Sequence, residues 1–258
     1  MSAKVLFLHL PKTAGSSIKS FFKDTLGDFC LQANSAGQLA QADPLLVRVR
    51  DMADLRRVLG EHGGLALHVD SNFDEVSRTT DFRSLSHLVF EPEHYGYFGS
   101  CTILAMLRHP FRRFLSEYDF VRRMKEANPG FLPDLEVGSV GAYLERTHPN
   151  AQLHFLLERD LYRPRTLTDD DLARVKERIA ANPIHVGIHE RFDESIAYFA
   201  RVLGRQFSAA DLPALNVGTN APQPPDPAVE SVFMERNRLD MELYDYASRL
   251  FELRACTR

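Results

Sequence analysis

KVLFLHLPKTAGSSIKSFFKDTL, residues 4–26, decides how this chain is read. Its opening, KVLFLHL, is a short apolar run stopped by Pro11, too short for a helix and suited to a buried strand. From Ser16 onward Ile18, Phe21, Phe22 and Leu26 recur at helical spacing, and Gly27 is a stop signal. Between strand and helix lies PKTAGSS. Backbone N–H groups and the helix dipole favour an anion at such a corner, and small residues let the main chain close in on it. Lys12 adds a mobile cation, while the Thr13, Ser16 and Ser17 hydroxyls can donate to phosphate-type oxygens. The ATPase pattern GxxxxGK[ST] sets its Lys after the loop; here Lys12 precedes Gly15 and no upstream glycine exists, which disfavours ATP with magnesium.

A second corner of the same kind lies about a hundred residues on. CTILAMLR (101–108) is an apolar, partly β-branched strand, and His109-Pro110 leads directly into the amphipathic stretch FRRFLSEYDFVRRMKEA. Pro110 suits a first helical turn, where its missing N–H costs nothing. Arg108 at the strand end and Ser116 eight residues later can face one anion.

The remaining pattern also alternates. Further strands are expected at 63–69 (GGLALHV), 84–90 (SLSHLVF) and 184–190 (IHVGIHE), a capped helix at 168–182, another in RFDESIAYFARVLG, and a closing helix or helix pair after residue 228. Asp169 to Asp171 read as a dipole-compensating cap rather than a metal site. The expectation is an α/β, P-loop-type three-layer fold with a central, mostly parallel sheet flanked by helices. The whole of 1–258 forms one domain, with a Pro-rich loop at about 213–227 before the C-terminal helices.

Composition narrows the function classes. The chain has 258 residues, 44% of them hydrophobic, enough for a sizeable core. Its 31 Lys and Arg against 35 Asp and Glu give a net charge of −4, unlike the basic excess of a nucleic-acid binder. No run approaches the ~18 apolar residues of a membrane span. The three cysteines, Cys30, Cys101 and Cys256, show no ligand or disulfide spacing. A cytoplasmic protein with reduced thiols and no zinc is expected; the oligomeric state is not readable.

PKTAGSS followed by LRHPFRRFLSEY, of the form L-R-[DH]-P-x-x-R-F-x-S-x-Y, resembles the sulfotransferase family that includes heparan-sulfate 2-O- and related glycan sulfotransferases. The resemblance implies 3′-phosphoadenosine 5′-phosphosulfate (PAPS) as donor and PAP as product, without a metal. It implies that Lys12, Thr13, Ala14, Gly15, Ser16 and Ser17 grip the 5′-phosphosulfate, and that Arg108 and Ser116 bind the 3′-phosphate. Arg113 and Tyr118 match the pattern as supports of the helix, and His109 stands where the family usually has Asp. LPALNVGTN is similar to the family's donor-covering loop, which makes Asn216 and Thr219 candidate donor contacts.

Sulfuryl transfer needs charge stabilisation on the transferred group and a base for the acceptor hydroxyl. Lys12 is the candidate for the first role. His87, about twenty residues before Arg108, is the candidate base, because the resembling enzymes carry a catalytic His there. His68 and the group Glu91, Glu93 and His94 are the alternatives. The acceptor implied is a small molecule or a glycan, shaped by residues 31–62, 70–83 and 125–165, with Arg122, Arg123 and Lys125 either an anionic-acceptor patch or a solvated helix face. A catalytically silent PAP-binding protein and a P-loop kinase are the competing readings.

Overall fold

The computed structural model describes residues 4–18, 21, 30–32, 82–86, 101–128, 137–157, 166–181, 184–213 and 227–256. Among the described residues, five strands, β1 (Lys4–His9), β2 (Cys30–Gln32), β3 (Phe82–Ser86), β4 (Cys101–Leu107) and β5 (Ile184–Ile188), form one sheet. Their order is β2-β3-β1-β4-β5, and every pair is parallel. Parallel sheets occur with both faces covered. In β4, consecutive residues Ile103 to Leu107 point alternately to opposite faces, yet none is more than 2% exposed. Helices therefore flank both faces, as the sequence pattern leads one to expect.

Among the described residues, 15–18 are helical, and the further helices are α1 (Pro110–Ala127), α2 (Val140–Arg146), α3 (Ala151–Leu157), α4 (Asp169–Ala181), α5 (Phe192–Val202), α6 (Pro227–Arg236) and α7 (Arg238–Cys256). α5 packs close on β5 because Gly187 carries no side chain: a Cβ there would lie 2.8 Å from Phe199 and 2.9 Å from Ser195. Ser195 then clamps the strand end, its Oγ accepting from Ile188 N–H and donating to Ile188 O. α5 ends at Gly204, φ 60, with Arg205 N–H bonded to Ala200 O and Gly204 N–H to Arg201 O, a paired closure of the last turn that needs a left-handed residue.

Several expected boundaries shift. The strand expected at 84–90 begins earlier, at Phe82, and its described part ends at Ser86. β2, of which three residues are described, is not among the strands expected from the sequence. Residues 151–157 form a largely buried helix, with Leu153 at 0% and His154 at 2% exposure. The Asp169–Asp171 run caps α4: Thr168 and Asp171 bond each other reciprocally, and Asp169 pairs with Arg238 at 2.8 Å. The closing segment is a helix pair that breaks at Asn237. The strand expected at 63–69 and most of the Pro-rich loop lie outside the described residues.

Candidate active site

Strand pairing positions the site before any side chain is considered. β1 and β4 are parallel neighbours with Leu8 opposite Ala105, so both following loops leave the sheet at its carboxyl end. After β1 the chain goes to one side of the sheet order and after β4 to the other. Open α/β sheets take ligands in the crevice at such a switch point, outside the carboxyl ends of the strands.

In the first loop Lys12 has φ 67 and Ala14 φ 64, both left-handed, while Thr13 between them does not. Alternating φ of this kind turns successive N–H groups toward one concave side, where an anion is cradled. It costs about 1–2 kcal/mol for each residue that bears a Cβ. Gly15 lies in the first helical turn without a positive φ. Thr13 is fully buried, and its Oγ1 donates to Leu10 O at 2.9 Å. Its hydroxyl proton thus pins the loop, and what Thr13 offers a ligand is its backbone N–H. Ser17 and Ile18 return their N–H groups to Ala14 O at 3.1 and 3.3 Å, which leaves Gly15 and Ser16 in the turn whose N–H groups lack helical partners.

The Lys12 ammonium sits 4.2 Å from the centroid of Phe120 on α1, one turn beyond Ser116 on the same helix face. Burial, then the charge of Arg123, pushes its pKa down to about 8, with Glu117 opposing. From the second corner, the Arg108 guanidinium reaches across and Nη1 donates to Lys12 O at 3.0 Å. Arg108 Nε is buried without a hydrogen-bond partner among the described residues. Such a donor costs about 1–3 kcal/mol if left unmet, and it fits a site completed by an anionic ligand.

The backbone of this corner is held by side chains that no local pattern announced. Arg108 N–H donates to Gln152 Oε1 at 3.0 Å, and Gln152 Nε2 donates to Arg108 O at 2.8 Å. His109 N–H donates to both Glu190 oxygens at 3.1 and 3.2 Å, and Tyr244 Oη donates to Glu190 at 3.0 Å. The His109 ring stands edge-on to Tyr244, 5.4 Å between centroids. The corner is therefore fastened without the Asp that the motif usually carries. His189, the residue after β5, is driven down to about 4 by burial and then by the Arg108 charge, so its imidazole is neutral at neutral pH.

Arg113 and Tyr118 support α1: buried Arg113 pairs with Glu117 at 2.7 Å, and Tyr118 Oη donates to Gly138 O at 2.8 Å. Arg122 pairs with Asp119 and Glu126, and Arg123 with Asp119, the ion-paired arrangement of a solvated helix face. His87, His68, Glu91, Glu93, His94, Asn216 and Thr219 lie outside the described residues. Ser86, which precedes His87 in sequence, pairs with His9 at the same sheet edge.

A family model described as the sulfotransferase family matches residues 2–247. The chain belongs to the sulfotransferase family. No curated protein gives a significant match. Family membership makes this protein a transferase domain built for sulfuryl transfer, and both corners that carry the sequence motifs lie within the matched span. Among the described residues of this sulfotransferase, no helix is long and apolar enough to cross a membrane.

Proposed function

We propose that the protein moves a sulfuryl group from PAPS to a hydroxyl of a saccharide or glycolipid by in-line displacement. The observation that carries this reading is the Arg108 Nη1 to Lys12 O contact of 3.0 Å at the sheet switch point: a nucleotide phosphorylated at both ends, laid in that crevice, has the loop cradle at one end and the Arg108 guanidinium at the other. The 5′-phosphosulfate is assigned to the N–H groups from Lys12 to Ser16 with the Ser16 and Ser17 hydroxyls, and the 3′-phosphate to Arg108 and Ser116. Lys12 and Arg108, two partly desolvated cations brought together, favour an anionic ligand, with Glu117 and Glu190 opposing.

In the transfer the acceptor oxygen forms a bond to sulfur as the bond from sulfur to the PAP phosphate oxygen breaks, and the acceptor proton passes to a base. Lys12 leaves Phe120 to neutralise charge on the transferred group and the departing phosphate, a contribution of roughly 10²–10³ in rate for one such donor. His87 is assigned the base, worth about 10²–10⁴; Ser86 at the sheet edge beside His9 supports that assignment. No step requires a metal. A cytoplasmic location and a partner set without nucleic acid belong to the same reading and rest on composition.

A thermal-shift screen of PAP, ATP with magnesium, AMP and NADP tests the donor. PAP at a hundred times its dissociation constant adds about 2.7 kcal/mol to the folded state; a shift with ATP and magnesium and none with PAP contradicts the reading. PAPS turnover on a panel of sugars then separates an enzyme from a silent binder.

A further inference from the structure

Arg108 stands one residue beyond the sheet, since the last β4 pair is Leu107 with Ile188. Its backbone N–H and C=O are both taken by one side chain, Gln152, at 3.0 and 2.8 Å. Gln152 is 1% exposed, so a planar amide replaces the missing strand rung in the interior. Gln152 is in turn seated from behind. It lies in the first turn of α3, where N–H groups lack helical partners, and its N–H and that of Leu153 go to the two oxygens of Asp240 on α7 at 3.0 and 2.7 Å. Asp240 N–H donates to Asn150 Oδ1 at 3.0 Å, and Asn150 N–H to Asn237 Oδ1 at 2.7 Å. All four side chains are buried. Burying so many polar groups is costly unless they match one another, and a matched network rigidifies what it holds. One branch of this network ends on Arg108, and through Arg108 Nη1 on the carbonyl of Lys12.

We propose that Gln152, seated by Asp240, is the positioning residue of the donor site, fixing the backbone from which Arg108 reaches the 3′-phosphate and restrains the Lys12 loop. This rests on the donor reading above. A pair that served only to hold α3 and α7 together would, on removal, lower the melting temperature and leave the affinity of the folded protein alone.

Gln152→Leu keeps the volume and deletes both bonds. PAP affinity is measured by calorimetry at a temperature where the variant is folded, and exchange of the Arg108 amide proton by NMR in the ligand-free protein. Val175→Ala, a truncation of a 1% exposed residue on α4, is the control for lost stability. Two lost hydrogen bonds predict PAP binding weakened roughly ten- to thirtyfold, with faster Arg108 exchange, while Val175→Ala leaves both unchanged. A folded Gln152→Leu protein that binds PAP as the wild type does, or keeps slow Arg108 exchange, overturns the proposal; so does an equal loss of affinity in Val175→Ala. If Gln152→Leu does not fold, Asp240→Asn decides, because it sets a donor against an N–H: weaker PAP binding supports the proposal and wild-type binding overturns it. If the wild type itself fails to bind PAP, the donor reading falls, and Arg108 exchange alone decides whether Gln152 positions that residue.

Discussion

The loop after β1 and the corner after β4 leave the sheet side by side, yet they are held in different ways. The loop keeps its shape largely from within, with two left-handed residues that bear side chains and internal bonds from Thr13 Oγ1 to Leu10 O and from Ser17 N–H to Ala14 O. The corner is gripped from outside, by Gln152 of α3 and by Glu190 just past β5. One region stores strain and a partly desolvated cation; the other is over-determined. The difference fits a division of labour in which the corner sets a fixed reference point and the loop, bound to it through Arg108 and Lys12 O, is the part that closes on charge.

The largest expected effect breaks the loop side. Lys12→Met removes the cation from the loop, and turnover should fall by roughly 10²–10³ or more. The same change should stabilise the ligand-free protein at pH 7. An unfolded lysine titrates near 10.5 and the folded one at about 8, so below pH 8 the cost of the half-buried charge is present in full, and between those values the unfolded chain binds the extra proton and wild-type stability rises with pH. The advantage of Lys12→Met in thermal melts should therefore shrink as pH is raised past 8 and vanish above 10.5. An advantage that does not depend on pH would mean that desolvation of the ammonium is not its source.

A middling effect belongs to the corner. Gly187→Ala puts a Cβ within 3 Å of Phe199 and Ser195, pushing α5 from the strand end that Ser195 clamps and that leads to Glu190. Overpacking of this sort costs about 1–3 kcal/mol, to be read from chemical denaturation. The smallest effect returns to the loop: Ala14→Gly relieves a left-handed residue and should stabilise by about 1 kcal/mol, a shift of roughly 2–4 °C for a domain of this size. A destabilised Ala14→Gly protein would remove strain from the account of the loop.

Much of this arrangement was legible in the sequence, for a physical reason. Apolar runs that end at Pro11 and at Arg108 mark strands, and the helical spacing that follows marks their corners, so the convergence of Lys12 and Arg108 follows once both strands lie in one parallel sheet. The supports were not legible. Gln152 and Arg108 are 44 residues apart and Gln152 and Asp240 are 88 apart; a polar side chain that meets a distant backbone leaves no periodic trace. The strain was hidden for another reason, since composition points to Gly15 while the backbone turns at Lys12 and Ala14. Phe120, by contrast, could have been found: it falls four residues after Ser116, on the helix face turned to the loop.

Comparing PAP with AMP in calorimetric titrations of the wild type and Arg108→Ala tests most directly whether both corners serve one nucleotide. The account predicts that the wild type prefers PAP by about a hundredfold, a coupling of roughly 3 kcal/mol, and that Arg108→Ala binds the two alike. A variant that keeps the full preference for PAP would contradict it.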